Sequence, residues 1–509
     1  MKKISVGLIA VVALGLLGAC SSNKDAKVSN DKDGKLEIVT TFYPMYDFTK
    51  NIVGDEANVK LMIPAGSEPH DYEPSAKDMT EAHDADVFVY HNENMETWVP
   101  KAQESWEKGT PNVVEGTKDM ILLPGSEEEG HDRDHGEEGH HHELDPHTWV
   151  SPKMAIQEVS NIKDQLVKFY PQKAKVFETN AEKYLNKLKQ LDADYTASLK
   201  DAKQKSFVTQ HAAFGYLALD YGLTQVPIAG LTPEQEPTSS RLAELKEYVQ
   251  KNGINYIYFE KNANDKIAKT LANEANVKME VLNPLESLTK KQMDNGEDYV
   301  SVMEDNLKAL EKTTTVAGKE VAPEKEAKDE KTVANGYFED TDVKDRELSD
   351  YAGDWQSVYP LLKDGSLDAV FDYKAKINKD MTAEEYKEYY TAGYQTDVEA
   401  INIEGNTMDF VVKGEHHKYT YKYVGYKILT YEKGNRGVRF NFETEDAEAG
   451  RFKYVQFSDH GIAPSKAAHF HIFFGGESQE KLYNELHNWP TFYPASLSEH
   501  EIAQEMMAH

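Results

Sequence analysis

PQKAKVFETNAEKYLNKLKQLDADYTASLK, residues Pro171–Lys200, is the stretch whose reading decides the fold. Val176, Tyr184, Leu185, Leu188, Leu191, Tyr195 and Leu199 recur at near-helical spacing among charged residues, the mark of an amphipathic helix. Pro171 reads either as a break in a run that begins near Pro152 or as the first residue of a second helix. At ~1.5 Å per residue the helix would be about 45 Å long, enough to reach across two lobes.

Strand-like runs lie on both sides of it. LEIVTTF (from Leu36) and ADVFVYH (from Ala85) come before; KSFVTQH (from Lys205) and INYIYFE (from Ile254) come after. Amphipathic stretches separate them, and such alternation implies a mostly parallel sheet in each lobe. Composition then shifts at Lys312–Asn335, KTTTVAGKEVAPEKEAKDEKTVAN, which has almost no large apolar residues and reads as an interdomain linker. Beyond it, YTYKYVGYKILTYEKGNRGVRFNFET alternates Tyr with polar residues around Gly434-Asn435-Arg436-Gly437, a hairpin signal. FKYVQFSDH and AAHFHIFFGG add two more strands. A small antiparallel barrel is expected there, with helical pieces near 381–392 and 478–487.

Met1-Lys2-Lys3 and the apolar run Ile4–Leu17 read as a signal peptide, too short for a comfortable membrane span. Leu17-Gly18-Ala19-Cys20 is similar to a bacterial lipobox, so residues 1–19 are expected to be a leader, Cys20 the lipidated residue and 20–35 a tether. Cys20 is also the only cysteine, which excludes an intrachain disulfide and a Cys-based zinc knuckle. From these features the protein is expected at the extracellular face of a cell membrane, lipid-anchored, and a Gram-positive bacterium is the expected source. The length of 509 residues suits two or three domains. A formal charge of −31 excludes a general nucleic-acid binder, because polyphosphate would be repelled, while an acidic field gathers cations.

Histidine carries the chemistry. The run HDRDHGEEGHHH holds His131, His135, His140, His141 and His142 among carboxylates, within a polar stretch at 125–143. Imidazole favours zinc, copper and nickel over calcium or magnesium, and many interchangeable ligands suit capture better than fixed catalytic geometry. In the last part of the chain, His469 and His471 lie two apart on one strand and share a face, with α-carbons about 6.5–7 Å apart, while Phe470, Ile472 and Phe474 take the other. His460 ends the preceding strand, where a hairpin folds it back beside the pair. Three imidazoles on β backbone make a tetrahedral zinc site with one open position, its fourth ligand undetermined. His70 lies in the loop PAGSEPHDYEPS, His147 in LDPHTWVSP, His211 at the end of KSFVTQH and Glu286 in VLNPLES. Most of these follow strand ends, the edge where doubly wound sheets collect ligands. His83 and His91 are expected to be structural.

The loops around His70, His147, His211 and Glu286 resemble, in order and surroundings, the metal loops of ZnuA-like solute-binding proteins of ABC transporters. The stretch from Gly336, with YFEDTDVKDRELSDYAGDWQSVYPLL and the His460/His469/His471 pattern, resembles the zinc-binding protein ZinT. Together on a lipobox-bearing chain they resemble the AdcA-type zinc-binding lipoproteins. The resemblance implies an α/β two-lobed solute-binding domain with a long bridging helix at 36–311, then the linker 312–335, then a lipocalin-like (calycin) antiparallel β-barrel at 336–509. It also implies zinc as the cargo, a membrane permease and its ATPase subunit as partners, and a monomer. Manganese-carrying relatives usually have a carboxylate at the third ligand position and Asp at the fourth; His211 and Glu286 stand there instead, and more nitrogen shifts the site toward zinc. Because neutral imidazole binds the metal, affinity should fall as pH drops through roughly 6.5.

An enzyme reading fails on spacing. His142-Glu143-Leu144-Asp145-Pro146-His147 puts its histidines five apart, not four, and Pro146 disrupts the helix that an HExxH site needs. No Walker loop or Gly-x-Ser-x-Gly elbow occurs. Manganese or another divalent metal, a metallohydrolase and a surface adhesin are the alternatives, none with a specific motif.

Overall fold

The computed structural model describes residues 35–106, 110–125, 144–233, 237–260, 265–318, 332, 333, 335–431 and 434–508. The leader, Cys20, nearly all of the tether, the five histidines of the His-rich run and most of the linker lie outside the described residues. Among the described residues no helix is long and apolar enough to cross a membrane.

The first lobe holds β1 (Leu36–Thr40), β2 (Ala57–Leu61), β3 (Val87–Tyr90) and β4 (Asn112–Glu115), all parallel, in the order β2-β1-β3-β4. The second holds β5 (Ser206–Thr209), β6 (Thr224–Pro227), β7 (Tyr256–Phe259) and β8 (Lys278–Val281), also parallel, in the order β6-β5-β7-β8. The two sheets therefore share one topology. Helices cover parallel sheets on both faces, so their central strands carry continuous apolar runs rather than an alternation; all four residues of β3 and of β5 are buried.

Pro171–Lys173 forms a 3₁₀ turn, and the helix proper runs Ala174–Leu199, about 39 Å at 1.5 Å per residue. Its buried stripe is Phe177, Ala181, Tyr184, Leu188, Leu191, Tyr195 and Leu199. Val176, expected in that stripe, is 40% exposed, because it sits one residue, about 100°, from Phe177, which takes the core position instead. Leu185 is only half-buried. The helix fastens both lobes. Tyr184 donates to Asp47 Oδ1 (2.7 Å) on the first-lobe helix Tyr43–Val53. Tyr195 donates to the Met303 carbonyl (2.7 Å) on the helix Tyr299–Thr314. One apolar core runs from Leu36 through this stripe to Leu310. Each such side chain contributes roughly 1.5–3 kcal/mol by burial, so wide hinge opening would expose a large stabilising term.

The helix Tyr299–Thr314 extends over the first residues of the expected linker, with Thr313 and Thr314 buried.

The last part is a nine-stranded antiparallel sheet of β9 (Gly353–Ser357), β10 (Val398–Glu404), β11 (Thr407–Val412), β12 (Glu415–Thr420), β13 (Lys422–Thr430), β14 (Arg436–Glu443), β15 (Tyr454–Ser458), β16 (Phe470–Gly475) and β17 (Thr491–Pro494). Its order is β12-β11-β10-β9-β17-β16-β15-β14-β13. The two edge strands, β12 and β13, are joined by Tyr421 alone, which is possible only if the sheet curls until its edges approach. Trp355, Ile401, Phe410, Phe440, Phe457 and Phe470 fill its inside. The hairpin expected around Gly434 joins β13 to β14, with Gly434 at φ +88°, where a side chain would be strained.

A helix stands at Ala383–Tyr394, but the piece expected at 478–487 shortens to Gln479–Leu482, because Asn484, Asn488 and Pro490 follow. The terminal helix Glu499–Ala508 was not expected; its signal was the capping pair Ser498 and Glu501. This helix and Asp368–Asn378 join Met154 and Tyr216 of the first domain in one apolar cluster, so the domains pack directly on each other.

Candidate metal centres

His70, His147, His211 and Glu286 come together between the two lobes, every one on a segment that follows the C-terminal end of a strand: β2, β4, β5 and β8. With a strand order in which the chain first moves one way from β1 and β5 and then the other, the β1/β3 and β5/β7 gaps are switch points, where ligand sites form.

Local sequence aims each side chain. The His70 loop turns at Gly66 (φ +84°). His147 opens a 3₁₀ turn, Thr148–Val150, its N–H bonded to Asp145 Oδ1 (2.9 Å). His211 lies two residues past β5, its carbonyl accepting from Thr209 Oγ1 and Gln225 Nε2. Before Glu286, Leu285 takes φ +60°, a left-handed conformation that costs a side chain roughly 1–2 kcal/mol; its complete burial and the Asn283 Oδ1 acceptor at its N–H (2.8 Å) hold it there.

Glu286 Oε1 lies 3.3 Å from His70 Nε2, 3.5 Å from His147 Nε2 and 3.1 Å from His211 Nε2, and His70 and His147 Nε2 are 3.2 Å apart. Four donors around a tetrahedral zinc, at bonds of about 2.0–2.1 Å, are about 3.3 Å apart along each edge. These spacings match. His147 Nδ1 meets Asp145 Oδ1 at 2.8 Å and His211 Nδ1 meets Glu260 Oε1 at 2.5 Å, so an N–H on the outer nitrogen leaves the inner lone pair for a cation. His147, His211 and Glu286 are buried, and Trp149 packs against His147.

Burial opposes charge on these imidazoles, but their neighbours win. Glu260 and Glu286 hold His211 well above the ordinary histidine value of 6.5, and Asp145 with Glu286 raises His147. Glu286 is held well below 4.5 by His211 and His147 despite its burial. In the metal-free protein, protonated His147 and His211 contribute stability that is present below 6.5 and lost as pH rises through their raised values. The contribution of Glu286 changes only near and below 4.5, outside that range. A zinc ion held by these imidazoles would have to displace their protons. The increase in Tm caused by zinc is therefore expected to be largest in alkaline buffer and to shrink as pH falls through values above 6.5, measured by calorimetry from about pH 9 to pH 5. An increment that stayed constant over that range would remove both histidines from the ligand set.

A second group gathers on the curled sheet. His460 follows β15, His469 precedes β16 and His471 lies on it, with ring centroids 5.5–5.8 Å apart. Phe470 and Ile472 point into the core and Phe474 is half-buried. Thr491 Oγ1 donates to the Trp489 carbonyl and so accepts from His471 Nδ1 (2.8 Å), directing its Nε2 outward for a metal. His469 stacks on Tyr493. His460 has φ +62°, set by a loop whose Asp459 is tied to buried Arg346.

Among the described residues these are the two groups of this kind. His83 is half-buried on the last turn of Ala76–Asp84, with its Nδ1 3.0 Å from Asp84 Oδ1. His91 is buried outside the donor set, donating from Nε2 to the Pro146 carbonyl (2.6 Å). Glu415, His416 and His417 lie on β12, with His416 against Asp409. Sequence reasoning missed Asp145 and Glu260. Glu260 had a signal: it ends the apolar run INYIYFE as His211 ends KSFVTQH.

Two parallel lobes clamped by a long helix around a nitrogen-rich buried cluster are the build of a solute-binding protein with a metal as its solute. Residues 38–313 match the family of the periplasmic zinc-uptake complex component A, and residues 329–509 match the ZinT (YodA) periplasmic lipocalin-like zinc-recruitment family. The zinc-binding lipoprotein AdcA of Streptococcus pneumoniae R6 is 64% identical over the whole of both chains. The high-affinity zinc uptake system protein ZnuA of Bacillus subtilis is 49% identical over 61% of this chain and 98% of its own length. The crystal structure of Zn(II)-bound AdcA from S. pneumoniae superposes with a TM-score of 0.84 at 62% identity, covering 93% of this chain and 100% of that one. The chain belongs to the zinc-uptake component A family, in the AdcA group that adds a ZinT domain.

Proposed function

We propose that this protein is the extracellular binding component of a zinc ABC importer, capturing Zn²⁺ and delivering it to a membrane permease driven by a separate ATPase subunit. One observation carries the reading: His70, His147, His211 and Glu286 present their donor atoms at the edge lengths of a zinc tetrahedron, with carboxylates orienting His147 and His211. Three nitrogens and one oxygen favour zinc over manganese, which prefers more oxygen ligands. Glu286 Oε1 faces all three imidazoles, the placement of a ligand rather than of a base acting on a substrate.

In this reading Cys20 carries the lipid that keeps a monomeric protein near its permease at the outer face of the membrane. His131, His135, His140, His141 and His142, with the His460/His469/His471 centre, collect zinc when it is scarce. The interlobe centre holds the ion for hand-over, and the continuous core beside the bridging helix restricts release to small movements of lobes and loops.

Elemental analysis of the full chain after dialysis against zinc tests this. The expected result is two tightly held ions. Substituting His469 and His471 together with alanine should remove one ion and leave the other, and His147→Ala should remove the complementary ion. A stoichiometry unchanged by the first substitution would refute the sheet site. Retention of both ions after His147→Ala would refute the interlobe site.

A further inference from the structure

The segment that carries His147 is held at both ends by residues that touch the other domain. At its start, Asp145 orients the His147 imidazole, and the Asp145 carbonyl accepts from the Tyr216 hydroxyl (2.8 Å). That hydroxyl in turn accepts from the Leu123 N–H (2.8 Å), while the Asp145 N–H donates to the Leu123 carbonyl (2.9 Å). The next residue back, Leu122, is clamped from the second domain. Gln504, on the terminal helix, accepts from its N–H and donates to its carbonyl, both at 2.8 Å. At the far end, Ser151 donates to Asp220 Oδ2 (2.6 Å), and Lys376 of the second domain donates to Asp220 Oδ1 (2.9 Å). Packing leaves little slack. Asp145 Oδ2 lies 2.9 Å from where a Cβ on Gly215 would stand, and Tyr216 is buried in the interdomain apolar cluster with Met154 and Tyr373.

We propose that docking of the second domain positions His147, so that the zinc affinity of the interlobe centre depends on contacts made by Gln504 and Lys376, in a domain that supplies none of its ligands. The inference rests on the reading of His147 as a zinc ligand. Tyr216, Gln504 and Lys376 are positioning residues: their bonds end on backbone or carboxylate groups that hold the ligand. Losing an orienting partner of a metal ligand typically weakens binding 10- to 100-fold, and these residues act one step further out, so a smaller effect is expected.

The test uses the full chain with His469→Ala and His471→Ala, so that only the interlobe centre reports. Zinc affinity is measured by competition with a chromophoric chelator, and ligand geometry by the visible absorption of the Co²⁺-loaded protein. Gln504→Leu with Lys376→Met should weaken zinc about 3- to 10-fold and shift the Co²⁺ bands, while Lys376→Arg alone, which keeps the charge, should stay within about twofold of the parent. Tyr216→Phe removes one oxygen from a ring that stays packed; it should weaken zinc over the same range and reads the link even if the double variant folds poorly. Affinity and Co²⁺ bands unchanged in both Tyr216→Phe and the double variant, with His147→Ala still strongly impaired, would overturn the coupling alone. Unimpaired binding in His147→Ala would overturn the interlobe reading and the coupling with it.

Discussion

Replacing His211 with aspartate is expected to weaken zinc binding by about 100-fold or more, with a smaller loss for manganese, so that the preference between the two metals narrows or reverses. The imidazole reaches from the end of β5 to within 3.1 Å of Glu286 Oε1 while its other nitrogen is held by Glu260. Aspartate is shorter, carries no nitrogen, and would leave three carboxylates in a space that burial makes hostile to net negative charge. Removing one member of a buried, hydrogen-bonded charge pair costs about 3–5 kcal/mol, and each 1.4 kcal/mol is a tenfold change in affinity. Competition titrations with Zn²⁺ and Mn²⁺ read both quantities. An unchanged zinc affinity and unchanged preference would place His211 outside the ligand set.

Arg346→Met is expected to destabilise the second domain by about 3–5 kcal/mol, a fall in Tm of roughly 6–20 °C, and to loosen its metal centre. The Arg346 side chain is fully buried. Its Nη1 donates to both oxygens of Asp459 (2.6 and 2.7 Å), its Nε to Asp350 (3.1 Å) and its Nη2 to the Ser465 carbonyl (2.6 Å). The guanidinium also lies over the Tyr351 ring. Methionine fills similar volume but leaves the Asp459 carboxylate, 4% exposed, without its cation. Asp459 precedes His460, whose left-handed backbone the loop must sustain, so zinc at His460, His469 and His471 should weaken in parallel. Calorimetry of the full chain and zinc stoichiometry check the two effects. Adding Asp459→Asn to Arg346→Met should recover part of the lost stability, since the stranded charge disappears. A loss below about 1 kcal/mol would mean that the buried ion pair contributes no more than an exposed one.

Much of this architecture was legible because it follows from local period. The strands LEIVTTF, ADVFVYH, KSFVTQH and INYIYFE became β1, β3, β5 and β7, since an apolar run of strand length between helical stretches has few other uses. The bridging helix was legible, but its face was misjudged at one end. Val176 and Phe177 are adjacent apolar residues, and only packing against the lobes decided that Phe177 is buried. The helix Glu499–Ala508 went unseen although Ile502, Ala503, Met506 and Met507 recur at helical spacing, because that stripe spans fewer than two turns and the apolar cluster it joins is completed by another domain.

By itself the sequence determined which residue types could act as ligands, and it placed them at strand ends and on one strand face, because periods of 3.6 and 2 residues are local properties of the backbone. Only the tertiary structure decided that His70 and Glu286, 216 residues apart, stand 3.3 Å from each other. It also decided that Asp145 and Glu260 bond the outer nitrogens of His147 and His211, and that Gln504 and Lys376 of one domain bond Leu122 and Asp220 of the other. The reason is physical. Convergence depends on sheet order and crossover direction, and a domain contact depends on matching surfaces; a short window of sequence encodes neither.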